Sequence, residues 1–551
     1  LLVDAPHLWS VEAPYLYTIV TQLILKGKVL DEHHTNWGFR NFQFDSLKGF
    51  SLNGKNIKIK GVCNHHDLGC LGAAVNKSAI KRQLNILKAM GCNAIRTAHN
   101  PPATELLDLC DEMGFLVMEE AFDVWKVPKT KFDYHLDWDE WHKRDLEDQV
   151  RRDRNHPCVI IWSIGNEIPE QLNNNDIGSE IAIELRNIIR NIDSTRPITA
   201  GNNRPLKDNN IIRSGALDLI GVNYRHQLWD QFPSYYNGKV FIGTETVSGL
   251  QTRGVYKFPS DRQVRWGDPA HPVPPELFDY TCSAFDQMMA SWGSTHEETL
   301  KLFNLHDFIS GMFVWSGFDY LGEPYPYAWP ARSSFYGIID LAGFPKDVYY
   351  LYKSEWTRAP VLHLFPHWNW KENDLVDVWA YFNKADEVEL YLNGISQGIK
   401  KKLDGALHVM WRIPFQPGTI KAVSRQQGKI VLTKEISTAG KEAHIVLTPD
   451  KSKINFKERE LSFVTVSIRD ANGTIVPLAD NLLKFSVTGG AFIAGMDNGN
   501  PISHEMFKGN IRKAFNGLAL VVLQPKDKLG KIVLTVSSEG LKPSSCTIVS
   551  Y

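Results

Sequence analysis

The sequence predicts a multidomain chain of the α/β plus β class, with a central (β/α)8 barrel, a short β-segment before it and two β-sandwiches after it. Three observations predict this. Eight short apolar runs alternate with helical periods between about Asp45 and Trp356. The helical period vanishes after Trp356. The later runs alternate apolar with polar residues around Asn-Gly turns.

Residues 1–44 read as the tail of a β-domain, because "LYTIVTQLIL" and "HHTNWGFRNFQF" flank the turn "KGK". Two or three strands do not make a core alone. Leu1 stands where an initiator Met would, which predicts that the sequence starts inside a longer protein. The barrel, residues 45–356, has as its strands "NIKIKGV", "CNAIRTA", "FLVMEEA", "CVIIWSI", "PITAG", "LDLIGVN", "KVFIGTE" and "GMFVWSGF". Between the first two, Ile80, Leu84 and Leu87 fall at helical spacing ahead of Gly91. Ile181, Leu185, Ile188 and Ile192 repeat the device after the fourth strand. Eight alternations over roughly 300 residues favour a closed barrel over an open doubly wound sheet. No Gly-rich phosphate fingerprint follows the first strand. The two sandwiches are placed at 360–440, with "DEVELYLNGISQG" as a hairpin, and at 443–551, with "FVTVSIRDANGTIVP" as another.

Composition narrows the function classes. A net charge of −1 offers no field for nucleic acid or an anionic membrane, and no apolar run is long enough to span a bilayer. Seven cysteines without a CxxC pair predict buried thiols rather than a disulfide framework or a zinc site. The 16 Trp lean towards carbohydrate, whose rings stack on indole faces.

Polar residues recur where the barrel strands stop. His65 follows the first; Arg96 and His99 end the second; Glu119, Glu120 and Asp123 the third. Asn166 and Glu167 end the fourth, Asn202 and Asn203 the fifth, Asn223 and Tyr224 the sixth, and Glu245 the seventh; Trp315, Asp319 and Glu323 come after the eighth. In a barrel these positions line one mouth. Carboxylates from strands four and seven face each other there, as glycosidic hydrolysis needs: one protonated acid and one ionised carboxylate. Glu245 is the expected nucleophile, supported by Arg96 and the Tyr224 hydroxyl. Glu167 is the expected acid, its pKa raised by burial and by the neighbouring charge. Asn166 is placed to bond the sugar 2-OH.

"RDRNHPCVIIWSIGNE" resembles the acid/base signature of glycoside hydrolase family 2, which holds β-galactosidases, β-glucuronidases and β-mannosidases. "LWSVEAPYLYT", "GFSLNGKNIKIKGVCNHHD", "AIRTAHNPP" and "FIGTE" are similar to its other landmarks, in the same order. "LHLFPHWNW" and "DEVELYLNG" resemble a β-galactosidase-like subgroup with extra Ig-like domains. The resemblance implies a retaining exo-acting glycosidase, a truncated Ig-like domain over 1–44, Ig-like sandwiches at the C-terminus, and an oligosaccharide or polysaccharide substrate. It also implies a periplasmic or secreted location, although the sequence itself fixes neither compartment nor oligomeric state. Glu167 matches the acid/base and Glu245 the nucleophile; His65 and His99 match site-shaping positions, and Trp315 the aromatic that stacks on the sugar.

Several residues carry two readings. One of Glu119 and Glu120 lines the pocket and the other pairs with a base. Asp319 and Glu323 either read sugar hydroxyls, as assigned here to Asp319, or tie down their loop. Trp162 is assigned to the core. The Asn-x-Lys motif by which β-glucuronidases hold their substrate's carboxylate is absent between Gly317 and Lys346, which ranks that activity second; a non-catalytic carbohydrate-binding barrel ranks third. Some family members hold Mg²⁺ beside the acid/base. Aligned on "MEEAFDVWK", the ligand positions fall on Val124 and Lys126, which offer nothing to a hard cation. The expectation is therefore no metal and no required cofactor, with Asp123 pointing away from the site.

Overall fold

The computed structural model describes residues 3–172, 176–267, 279–403, 405–526 and 529–551. Eight parallel strands close a barrel in chain order: β1 (Ile59–Asn64), β2 (Ala94–Thr97), β3 (Leu116–Glu120), β4 (Val159–Asn166), β5 (Ile198–Asn202), β6 (Leu219–Asn223), β7 (Val240–Val247) and β8 (Ile309–Trp315). All eight coincide with the predicted runs. Their unbroken apolar character follows from having no solvent face: β4 is buried at every position.

Helices cover the outside. In α1 (Lys77–Met90) the Asn76 side chain caps the start by accepting from Ala79 N, and Leu84, Leu87 and Met90 are buried against the strands. Each such side chain contributes about 1.5–3 kcal/mol of transfer free energy. The helix stops at Gly91, whose φ of +94° brings its Cα against the next helix layer; a Cβ there would meet Trp356 Cβ at 2.8 Å. Helix α2 (Thr104–Met113) precedes β3, and α3 (Trp138–Asp153) precedes β4. Helix α4 (Ile177–Arg190) buries Ile181, Leu185 and Ile188 as predicted, but ends before Ile192.

The N-terminal segment seals the barrel's far end. An antiparallel ribbon, Tyr17–Leu25 with Lys28–Trp37, stands largely exposed. Trp9 is buried and donates through Nε1 to Asp111 O at 2.9 Å, and Arg40 Nη2 donates to Val159 O at 2.7 Å, at the start of β4. A hairpin of Phe42–Asp45 and Gly49–Leu52 spans the boundary placed at Asp45 and puts Phe50 and Leu52 into the barrel core.

Beyond the barrel, sheets of three and four strands between Leu362 and Ser437 enclose Val376, Val378, Leu390 and Trp411. Their Asn393-Gly394 turn has both φ angles positive, as that dipeptide predicts. Nine further strands between Glu442 and Ser550 surround a separate core of Val464, Leu483, Val521 and Leu534. Of the hairpin predicted over 463–477, only the first arm (Ser462–Asp470) is a full strand; its return is a single bridge at Ile475. This last unit packs on the barrel through Cys70, Ala79, Phe344 and Phe463. Six cysteines are buried, Cys546 is half-buried, and all seven are free thiols. Among the described residues no helix is long and apolar enough to cross a membrane.

Candidate active site

The strand ends converge on a cavity of about 580 Å³ at the C-terminal mouth of the barrel. Of the nine predicted site residues, seven line it: His65, His99, Asn166, Glu167, Tyr224, Glu245 and Trp315. Arg96 lies directly beneath.

Glu245 is held by three donors. Arg96 Nη1 reaches Oε2 at 2.9 Å, Tyr224 OH reaches Oε1 at 2.5 Å, and Asn223 Nδ2 reaches Oε2 at 3.2 Å. Arg96 is fully buried and also grips Glu120, with Nη2 at 3.0 and 2.9 Å from its two carboxylate oxygens. Burial alone would raise the Glu120 pKa, but Arg96, His99 and Ser163 outweigh it and bring it down to about 2. The His99 ring meets Glu120 Oε1 through Nδ1 at 2.7 Å; burial opposes its charge, yet Glu120 raises its pKa above the ordinary histidine value.

Glu167 is treated differently. Its backbone, at φ +45°, leaves β4 through a bond from its N to Gly201 O at 2.8 Å, which turns the side chain into the mouth. Among the described residues its carboxyl oxygens accept only from amides, Asn223 Nδ2 and Asn203 Nδ2, both at 3.0 Å. Burial first, and the Glu245 charge second, raise its pKa to about 7. Glu167 Oε1 and Glu245 Oε2 accept from the same Asn223 nitrogen, at 3.0 and 3.2 Å, so the two carboxyls meet across one amide.

Asn166 Oδ1 accepts from Arg96 Nη2 at 2.8 Å and Asn223 Nδ2 at 2.9 Å. This network exists because β5 carries glycine at 201. A Cβ there would stand 2.8 Å from Asn223 Oδ1, 2.9 Å from Asn166 Oδ1 and 3.1 Å from Arg96 Nη2. Trp315 stacks on His99 at 5.2 Å between centroids, and His65 packs edge-on against Trp315 at 5.3 Å. Burial keeps His65 neutral, with its pKa lowered to about 3.

The ninth predicted residue, Asp319, is not on the cavity wall. It is buried, accepts from Gly337 N at 2.8 Å, and pairs with the Lys346 ammonium at 2.8 Å. It fastens the loop after β8, and the sugar-reading assignment is corrected accordingly. Glu119 also faces away from the cavity: alternation along β3 points it at Gln149 of α3 (2.8 Å) and at Asp153, and burial with that second carboxyl raises its pKa well above the usual range. Glu120 faces inward but lies under the floor, paired with Arg96, so neither of the two lines the cavity as one was expected to. Trp162 is in the core, as expected.

Asp123 corrects another expectation. It lines the cavity, 3.3 Å from Asn166 Nδ2, and carries an ion pair to Lys129, whose Nζ lies 2.8 Å from Asp123 Oδ1 and 2.8 Å from Asn166 O. Val124 is buried and Lys126 pairs with Asp139 on the surface. These residues do not fit Mg²⁺: Val124 and Lys126 offer no side-chain oxygen, and the Asp123 carboxylate and Asn166 carbonyl are already taken by the Lys129 ammonium. Further wall residues, Lys129, Asn203, Arg225, Trp292 and Glu323, were absent from the predicted site. Asn203 and Glu323 stood out as polar strand ends; Lys129, Arg225 and Trp292 sit in loops with no period to mark them.

Comparison with known proteins places this geometry in a family. Residues 45–321 match the family model "Glycosyl hydrolases family 2, TIM barrel domain", 1–40 match "Glycosyl hydrolases family 2", and 445–547 match "Glycoside hydrolase family 2 C-terminal domain 5"; 373–432 match a domain of unknown function. The chain is 51% identical to the β-galactosidase BoGH2A of Bacteroides ovatus over 98% of its own length and 67% of that protein's. It is 34% identical to a putative β-glucuronidase of Formosa agariphila, covering 96% of this chain and 52% of that one. A crystal structure of a β-glycosidase from Bacteroides vulgatus superposes with a TM-score of 0.90 at 36% identity, over 99% of this chain and 70% of that chain.

Proposed function

The chain belongs to glycoside hydrolase family 2, and from that premise we propose that it is a retaining, exo-acting β-galactosidase acting by double displacement, with Glu245 as nucleophile and Glu167 as acid/base. The observation that carries the reading is the unequal treatment of two carboxyls on one amide. Glu245 is bonded by a guanidinium and a phenol, whereas Glu167 has only amides and a pKa raised to about 7.

In the first step the Glu245 carboxylate bonds to the anomeric carbon as the glycosidic C–O bond breaks. The Glu167 proton passes to the leaving oxygen. Esterification removes the Glu245 charge, so Glu167 ionises more readily and takes a proton from water. The resulting hydroxide displaces Glu245 from the sugar, with net retention. Asn166 is the proposed partner of the 2-OH, Trp315 the stacking face, and Tyr224 and Arg96 hold the nucleophile. His65 and His99 shape the wall. No step is assigned to a metal or cofactor in this proposal, and Lys129 supplies the positive charge beside Asn166.

Nitrophenyl glycosides, with NMR of the first-released anomer, test the proposal. The β-galactoside should be hydrolysed fastest, and the β-anomer should appear first. Release of the α-anomer overturns the mechanism. Faster hydrolysis of the β-glucuronide would favour the second reading, which the Formosa relative supports and the missing Asn-x-Lys motif opposes.

A further inference from the structure

The cavity is electrically lopsided. Its lysine and arginine sit on the half that carries the acid/base: Lys129, paired with Asp123, bonds Asn166 O, and Arg225 Nε bonds the carbonyl of Asn203, the residue that holds Glu167 Oε2. In the closed order of eight strands β8 stands diametrically opposite β4. The loop after β8 brings Glu323 to the cavity wall. Glu167 serves the leaving oxygen, so the aglycone lies towards β4 and the sugar being cleaved lies towards β8 and β1.

Glu323 is placed there deliberately. It follows Gly322 (φ +83°) and itself has φ +44°, a conformation unfavourable for a residue with a side chain. The loop is tied on both sides of it: Leu321 N donates to Asp67 Oδ2 at 3.2 Å, and Gly322 N to Arg332 O at 2.9 Å. The buried Tyr320 hydroxyl donates to Glu323 Oε2, and among the described residues none donates to Oε1 of this cavity-lining side chain. Tyr320 in turn packs on His65, 4.2 Å between centroids, and on Trp315 at 5.5 Å. Among the described residues no Lys, Arg or His forms an ion pair with Glu323, and the buried His65 Nε2 has no hydrogen-bond partner. The nearby cations, Arg96 and His99, are committed to Glu120 and Glu245.

We propose that Glu323 determines glycone specificity: its free carboxylate oxygen accepts a hydroxyl of a neutral terminal sugar and, by like charge, excludes sugars oxidised to a carboxylate at C6. This rests on the glycosidase reading above and deepens it. A uronate in this half of the cavity would meet Glu245 and Glu323 with no uncommitted cation to pair with, and burying an unpaired charge is costly. A hydroxyl finds a carboxyl acceptor, whereas burial and the Glu245 charge, which already raise the Glu323 pKa, both oppose a further negative charge beside it.

The test compares 4-nitrophenyl β-D-galactopyranoside with the corresponding β-D-galactopyranosiduronic acid on the wild type, Glu323→Gln and Glu323→Asp. Active sites are counted by titration with a 2-deoxy-2-fluoro galactosyl inactivator, so that misfolding is corrected for. The expected results are a loss of about tenfold or more in kcat/KM for the neutral sugar in Glu323→Gln, and a rise of at least about tenfold in the uronide-to-galactoside ratio. Glu323→Asp, which keeps the charge, should retain the wild-type ratio. Equal losses on both substrates in Glu323→Gln, or an Asp variant whose ratio matches the Gln variant's, would overturn the proposal. A wild type that prefers the uronide would instead defeat the galactosidase reading, and is distinguishable because it needs no variant.

Discussion

Glu167 Oε1 and Glu245 Oε2 share one donor, the Asn223 amide nitrogen, at 3.0 and 3.2 Å. Division of labour between the two should appear in leaving-group dependence. Glu245→Gln is expected to lose roughly 10³-fold or more on every substrate. Glu167→Gln should cost about 10²–10⁴-fold on alkyl glycosides and far less on dinitrophenyl glycosides, which depart without protonation. The slope of log kcat/KM against leaving-group pKa checks this; an unchanged slope would reassign the acid.

The raised pKa of Glu167, about 7 against an ordinary 4.5, has two consequences with the same sign. Turnover needs its proton, so kcat/KM should fall as pH rises through about 7. Folding feels it too. Below pH 4.5 the group is protonated in both states; between 4.5 and 7 the unfolded chain ionises and the native one does not, so stability is lost as pH rises. Above pH 7, Glu167→Gln should therefore stabilise the protein by on the order of 3 kcal/mol. Denaturant melts at pH 4 and pH 8 measure it, and an equal effect at both would contradict the raised pKa.

Gly201→Ala places a methyl within 2.8–3.1 Å of Asn223, Asn166 and Arg96. Overpacking should cost about 1–3 kcal/mol of stability. Activity should suffer more, by at least about tenfold in kcat, because the displaced amides are those that hold both carboxyls. A variant with wild-type kcat would mean that the network tolerates displacement.

Lys129, paired with Asp123 and 2.8 Å from Asn166 O, lowers the Glu167 pKa by its charge. Exhaustive chelation should leave activity within about twofold, with Mg²⁺ giving no recovery. Lys129→Met should move the alkaline limb of the pH profile upward, since removing a cation makes Glu167 harder to ionise. A Mg²⁺-specific recovery of tenfold, about 1.4 kcal/mol, would overturn the metal-free reading.

What was legible in the sequence follows from what periodicity encodes. The strands announce themselves by apolar runs, and a polar residue at the end of such a run has one place to go; Glu167, Glu245 and Tyr224 were found on that ground. Direction inside a loop is not encoded in this way. Asp319 and Glu323 are four residues apart after the same strand, yet one turns inward to Lys346 and the other outward to the cavity. Glu119 and Glu120 differ by one step of strand alternation, and the sequence does not show which face is inward where both are buried. Lys129 reaches the site from a long loop whose partner, Asp123, is fixed by tertiary contact alone.

The buried pair of Arg96 and Glu120 fixes how much reorganisation the proposed cycle demands. Arg96 remains cationic throughout and keeps one permanent counter-ion in Glu120. When Glu245 becomes an ester, the negative charge it gives up reappears on Glu167 as that residue releases its proton, across the same Asn223 amide. The floor of the barrel thus holds a constant charge inventory from free enzyme to covalent intermediate and back. No ion has to enter or leave, and the low-dielectric surroundings need not repolarise between the two half-reactions.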